Sequence, residues 1–235
     1  MLTVKPHSWI QSEVNGRSVV DIFAHDRNSK NVFLRVVDAP ISCYMQLPLR
    51  GPNGDFICWN DELSNLIFEY LSKKLYDSAP LDYVFEMREK LFFSEDVTHY
   101  PFIRLSFSCT RDMKKCSSYH KKIDLFGGFT VEYWEDDIKT ITRLQAVCNI
   151  THTAWFACTG VTLHEKTTRC SQEYAVCYKS IFPIPEEECQ SWIIYPLVCS
   201  WDGEMFSKNY RALPKPSNST DALYLVSANL ENLNK

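Results

Sequence analysis

A mixed α+β fold is predicted by three observations. Several short runs alternate apolar and polar residues at a period of two, one segment between positions 60 and 75 places apolar residues at helical spacing, and strand-like and helix-like segments follow one another as β-α-β-β-α-β.

The opening elements are strands. Residues 18–23 and 32–37 flank the turn-forming His25-Asp-Arg-Asn-Ser-Lys30, as in a hairpin. A strand at 41–47 leads through Gly51-Pro-Asn-Gly54 to a helix. Asn60 is a fair N-cap for it, and Leu63, Leu66, Ile67, Tyr70, Leu71 and Leu75 form one apolar stripe. Two β-rich runs follow, 83–93 and 102–108. A second helix is expected over 112–125, and Gly127-Gly128 introduces a strand at 129–133. This order over residues 41–133 predicts a ferredoxin-like sheet with its helices on one face.

Asp136 and Asp137 are expected to start a third helix, with Ile138, Ile141, Leu144 and Val147 inward and the acidic residues at its positive end. Strands at 154–158 and 174–178 are expected to join the opening hairpin in a second, small β unit. Residues 180–189, with Pro183, Pro185 and a glutamate run, read as a linker. A further domain is expected from Ser191, with strands at 192–201 and 222–228 around a polar, Pro-bearing loop.

Composition sets the bounds. The chain has 235 residues, 45% of them hydrophobic and 14% aromatic, enough for a substantial core or two modest domains. A net charge of -4 gives no overall basic footprint for nucleic acid, which leaves a local face as the only electrostatic route. No apolar stretch reaches the roughly 18 residues of a membrane span, and the first residues lack signal-peptide regions, so the expectation is an intracellular protein that is not secreted. The ten cysteines include no Cys-x-x-Cys and sit beside aromatic or aliphatic neighbours, the pattern of buried reduced thiols. His7, His25, His99, His120, His152 and His164 show no ligand spacing.

Three features bear on chemistry. Asp202 and Glu204 stand two apart at the end of an apolar run, so on a strand they project the same way and can share a metal ion. Taken alone, such a pair reads as a solvated strand exit. Arg111, Lys114, Lys115, Lys121 and Lys122 form a basic cluster that reads first as a solvated helix face and second as a DNA-backbone contact. Tyr44, Phe92, Phe93, Phe102 and Phe107 fit a sheet core, with base stacking as the second reading.

Several colinear passages carry a resemblance. They are Val32-Phe-Leu-Arg-Val-Val-Asp-Ala-Pro-Ile-Ser-Cys-Tyr-Met-Gln-Leu-Pro48, Trp59-Asn60 with the helix ending Tyr70-Leu-Ser-Lys-Lys-Leu75, Tyr83-Val-Phe-Glu-Met-Arg-Glu-Lys-Leu-Phe-Phe93, Tyr100-Pro-Phe-Ile-Arg-Leu-Ser-Phe107, Val131-Glu-Tyr133, Asp137-Ile-Lys-Thr-Ile-Thr-Arg-Leu-Gln145 and Pro196-Leu-Val-Cys-Ser-Trp-Asp-Gly-Glu204-Met-Phe-Ser207. In this order the chain resembles the N-terminal region of a family B DNA polymerase, especially those of large DNA viruses. The resemblance implies an N-terminal domain over 1–185 and the start of an RNase H-like 3'-5' exonuclease domain over 191–235.

It further implies that Asp202 bridges two Mg2+ ions and Glu204 binds one of them and orients the attacking water, as in two-metal phosphodiester hydrolysis. Gly203 stands where the family usually has an aliphatic residue, and Trp201 where it has Phe. The remaining exonuclease carboxylates and all polymerase motifs belong to later parts of the family, so this chain is expected neither to polymerise nor to cleave by itself. Expected partners are the DNA template and a second chain carrying the remaining domains, in the nucleus or at a cytoplasmic viral replication site. A stand-alone single-stranded nucleic-acid-binding module and an inactive truncated relic are the alternative readings.

Overall fold

The computed structural model describes residues 1–89, 99–194, 197–206 and 222–232, the last two stretches by backbone alone. The chain divides into two compact units, Met1–Asp26 with Lys30–Gln190, and Arg27–Ser29 with Ser191–Lys235.

The first unit is built on a closed five-stranded barrel. Its strands are β1 (Leu2–Val14), β2 (Arg17–Asp26), β3 (Asn31–Val36), β10 (Phe156–Thr162) and β11 (Gln172–Pro183), in the cyclic order β1-β2-β3-β11-β10. All neighbours are antiparallel except β3 and β11, which run parallel. Helix α3 (Thr140–Cys148) lies between the third and fourth barrel strands in sequence and packs on β1, β2 and β11. This is the Greek-key arrangement of oligonucleotide-binding barrels. Asn15 and Gly16 both adopt left-handed φ, 52° and 72°, which makes the β1–β2 connection the type I′ turn that Asn-Gly favours. The core holds Val4, Val20, Ile22, Leu34, Phe156 and Ile181, with Leu144 and Cys148 from α3. Asn149, at φ 51°, ends α3 as its left-handed cap, and Ile150 N–H donates back to Gln145 O.

Between β3 and α3 the chain inserts the ferredoxin-like unit. Strands β4 (Ser42–Gln46), β5 (Asp82–Arg88), β6 (Tyr100–Ser106) and β9 (Glu132–Trp134) form an antiparallel sheet in the order β5-β6-β4-β9. That order is the one the β-α-β-β-α-β succession predicts, since each helical crossover skips one strand. Helix α1 (Asp61–Leu75) and helix α2 (Thr110–Tyr119) share one core with the sheet, through Ile67, Leu71, Leu75, Met113 and Cys116 against Cys43, Met45, Ile103 and Leu105. Asn60 Oδ1 accepts from Leu63 N–H at 2.9 Å, the expected cap. A minor hairpin joins β7 (Lys122–Ile123) to β8 (Phe129–Thr130).

Several expectations change, including the strand expected over 192–201, which runs over Leu197–Phe206, and Val147, which is exposed rather than inward. The thirteen-residue β1 is an additional strand, outside the predicted elements. Helix α2 ends at Tyr119 rather than 125, because Lys122 and Ile123 pair with Thr130 and Phe129. Helix α3 starts at Thr140, not at Asp136; Asp136 instead accepts from Ser117 Oγ at 2.6 Å and pairs with Lys114 at 3.4 Å. The segment read as a linker is largely strand: Ile181, Phe182 and Pro183 pair with Cys158, Ala157 and Phe156, because Ile181 completes the barrel core, and only α4 (Glu186–Cys189) follows.

Buried thiols behave as small hydrophobes. Cys43, Cys109, Cys116, Cys148 and Cys158 are buried, and burial pushes the thiols of Cys116, Cys148 and Cys158 up to about 11, well above neutrality.

In the second unit, β12 (Leu197–Phe206) pairs antiparallel with β13 (Ala222–Asn232). The predicted loop at 208–220 lies outside the described residues.

Candidate nucleic-acid interface

Strand alternation divides the ferredoxin-like sheet into two faces. Cys43, Met45, Ile103, Leu105, Tyr83, Phe85 and Tyr133 pack toward the helices. The opposite face carries Val84, Arg104, Tyr44 and Trp134 in one cross-strand row and Glu86, Phe102, Gln46 and Glu132 in the next, with Arg88 beyond them beside Tyr100.

The polar and aromatic groups of this face engage one another. Phe102 is 6% exposed and forms its floor; Tyr44 meets it edge-on, with centroids 6.3 Å apart and planes at 90°. The Arg88 guanidinium lies over the Tyr44 ring, 4.4 Å from its centroid. Glu86 holds that guanidinium at 3.3 Å and Arg104 at 3.2 Å, one carboxylate serving two cations. Trp134, 36% exposed, donates its indole N–H to Gln46 Oε1 at 3.1 Å. Aromatic rings beside guanidinium groups on the open face of a four-stranded sheet can take a stacked base and its phosphate.

Of the aromatic residues singled out in the sequence, Tyr44 and Phe102 lie on this face. Phe107 does not: it is buried in the helix-side core at 4% exposure. Phe92 and Phe93 lie outside the described residues. Trp134, Arg88 and Arg104 escaped sequence reading, although the alternation Glu132-Tyr133-Trp134 would have set Trp134 opposite a core tyrosine. In the basic cluster at 111–122, Arg111, Lys114 and Lys115 lie on the exposed face of α2 as in the first reading, whereas Lys121 and Lys122 lie beyond its end, Lys122 on β7. Arg111 pairs with Glu13 at 3.5 Å and Asp112 at 3.7 Å, Lys114 with Asp136, and Lys115 donates to Ser78 Oγ at 3.2 Å.

The barrel offers a second face, the outer side of β2 and β3, where barrels of this class bind oligonucleotides. Here its polar groups are satisfied internally. Arg35 donates from Nε and Nη2 to the two Asp21 oxygens at 2.8 Å each, and Phe33 beneath is 1% exposed. On neighbouring β11 the Glu173 carboxylate is buried, which raises its pKa, but hydrogen bonds from the backbone and hydroxyls of Thr167 and Thr168 outweigh that and hold it at about 2. A ligand there would have to break a bidentate ion pair at 23% and 12% exposure, whereas the Arg88–Glu86 pair on the sheet face is longer and more exposed, so the sheet face that no described helix covers is the better candidate.

Positions 202 and 204 lie within β12, two apart and so on one face of the ribbon, opposite Ser227 and Leu225, with a register shift directly after Glu204. They are inside the strand rather than at its exit. Two carboxylates supply too few donors for a two-metal centre, and among the described residues no group of three or more His, Cys, Asp or Glu gathers to hold a metal.

No family model matches the chain, and no curated protein matches it. Among solved structures it is similar to the family B DNA polymerase from the hyperthermophilic archaeon Pyrobaculum calidifontis, with a TM-score of 0.66 and 16% identity, over 97% of this chain and 25% of that one. At this identity the likeness is one of fold. The chain spans about a quarter of the length of the polymerase it matches. Among the described residues no helix is long and apolar enough to cross a membrane.

Proposed function

We propose that this chain is the N-terminal portion of a family B DNA polymerase, a scaffold that holds the single-stranded template and bears the first carboxylate pair of a 3'-5' exonuclease. The observation that carries the reading is the likeness of fold to an archaeal family B polymerase over 97% of the chain, in agreement with the colinear sequence passages. The viral type rests on those passages alone, since the solved neighbour is archaeal.

In this reading the barrel and its inserted sheet are the template scaffold. Asp202 and Glu204 take the first-motif positions on β12, and Mg2+ binds once later carboxylates, on this polypeptide or on a second one, complete the set. Gly203 between them lacks the packed side chain that would stiffen the strand. Polymerisation belongs to the remaining domains. A stand-alone single-stranded nucleic-acid-binding module is the second reading, favoured by the open sheet face, which needs no partner to present Tyr44 and Trp134.

Affinity purification from the native source, followed by mass spectrometry, tests the assignment. Polymerase and later exonuclease motifs on the same or a co-purifying polypeptide are expected, and Asp202→Ala should then abolish proofreading while polymerisation persists. Recovery without any such sequence refutes the polymerase reading and leaves the binding module.

A further inference from the structure

The geometry points to a self-competing site on the open sheet face: a base of single-stranded DNA stacks on Tyr44 by displacing the Arg88 guanidinium, which then turns to the adjoining phosphate, while Glu86 holds Arg88 on the ring in the free protein. This deepens the template-holding reading and rests on it.

In the free protein the ring is already occupied. Arg88 covers one face of Tyr44, 4.4 Å from the ring centroid, a position a stacked base would take, and Phe102 packs on the ring in a T-shaped contact. The cover is weak. Arg88 and Glu86 are 44% and 26% exposed, and an ion pair and a cation–π contact at such exposure together contribute no more than about one stacked base does. A base can therefore win the ring, and the arginine loses little if it gains a phosphate.

Charge complementarity selects the ligand. Glu86 is shared between Arg88 and Arg104, so these three groups carry one net positive charge on β5 and β6 next to two aromatic rings, while Glu132 on β9, at the other end of the row, brings the face as a whole to zero. An unpaired base followed by a phosphodiester matches this pattern, whereas a duplex hides its base faces. The Glu86 carboxylate opposes the ligand twice, by holding the guanidinium and by repelling the phosphate. Affinity should therefore be set below what the aromatic face alone allows, as suits a strand that must slide rather than stay.

Fluorescence anisotropy with oligo(dT) and, in parallel, oligo(U), over a salt series, tests this on the full chain. Tyr44→Leu, which keeps an apolar residue at the position, is expected to weaken oligo(dT) binding about five- to 150-fold. Glu86→Gln is expected to tighten it about three- to fivefold. Arg88→Ala should make the salt slope shallower by about 0.7, the loss of one phosphate contact to a single strand. Tightening in Glu86→Gln cannot come from a general loss of structure. Wild-type binding that Glu86→Gln leaves unchanged or weakens overturns the competition while the template-holding reading stands. No wild-type binding overturns both, and a preference above tenfold for oligo(U) overturns the assignment to DNA.

Discussion

Gly160 is where the barrel's tightest backbone approach can be tested. It follows the register shift between Cys158 and Gly160 on β10 and pairs with Val176 of β11. A Cβ at this position would meet Ala175 O at 2.7 Å, Val176 Cγ2 at 2.9 Å and Tyr174 Cβ at 3.1 Å. Carbon and carbonyl oxygen ordinarily approach to about 3.3–3.6 Å, so Gly160→Ala demands about 0.6–0.9 Å of movement. The nearest atom is backbone in the paired strand, not the end of a flexible side chain. Overpacking of this kind costs about 1–3 kcal/mol. The φ of Gly160 lies outside the left-handed range, so alanine also gains about 0.4–1 kcal/mol by restricting the unfolded chain. At the midpoints of these ranges the net expectation is a loss of about 1.3 kcal/mol, a melting shift of roughly 3–5 °C for a chain of this size. Urea and thermal melts followed by circular dichroism measure it, and Gly16→Ala controls for positive-φ strain without crowding, since nothing lies within 4 Å of its missing Cβ. If Gly160→Ala is as stable as the parent or more so, the close approach is not what glycine serves there.

Three more outcomes follow from the same geometry. Glu173 has a depressed folded pKa of about 2 against an ordinary 4.5, so its contribution is complete above 4.5 and is lost as pH falls toward 2; Glu173→Gln should abolish that part of the acid transition and speed amide exchange at Thr167 and Thr168. His7 and His25, rings 4.8 Å apart, are both held below the ordinary 6.5, chiefly by burial and at His25 also by the neighbouring imidazole, so the unfolded chain binds more protons there and stability should fall as pH drops through 6.5; the double change to Gln should flatten that slope in pH-dependent melts. Asn60→Ala should cost about 0.5–2 kcal/mol by leaving Leu63 N–H without its side-chain acceptor, seen as a lower urea midpoint, whereas Asn60→Ser should retain most of it.

Local chemistry made much of this fold readable. Helix α1 was legible because its signals sit within sixteen residues: Asn60 supplies an acceptor for one orphan N–H, and Ile67, Leu71 and Leu75 recur at the spacing of one helix face. The order of the sheet followed from the succession of strands and helices, because a crossover long enough to hold a helix leaves room for one strand between its ends. Strand β1 was also within reach, through Asn15-Gly16, the turn whose two left-handed residues match the twist of a hairpin. The carboxylate pair Asp202 and Glu204 was visible as a spacing, and strand period alone puts the two positions on one face of β12.

Other features had no local signal. The parallel pairing of β3 with β11 joins Val32 to Gln172 across the whole inserted unit, and closure of the barrel decided it, since an open five-stranded sheet would have exposed the two edges and the apolar face that Ile181 helps fill. The same closure turned a Pro- and Glu-bearing segment from expected linker into strand. On the sheet face away from the helices, residues from three strands meet: Arg88 reaches Tyr44 and shares Glu86 with Arg104, while Phe107, equally aromatic, faces the helices. The sequence by itself determined which segments become helix or strand and which residues alternate, because those preferences arise between neighbours along the chain. Only the tertiary structure decided which strands pair, which face stays open and which charges meet on it, because those depend on burying apolar surface drawn from residues far apart in sequence.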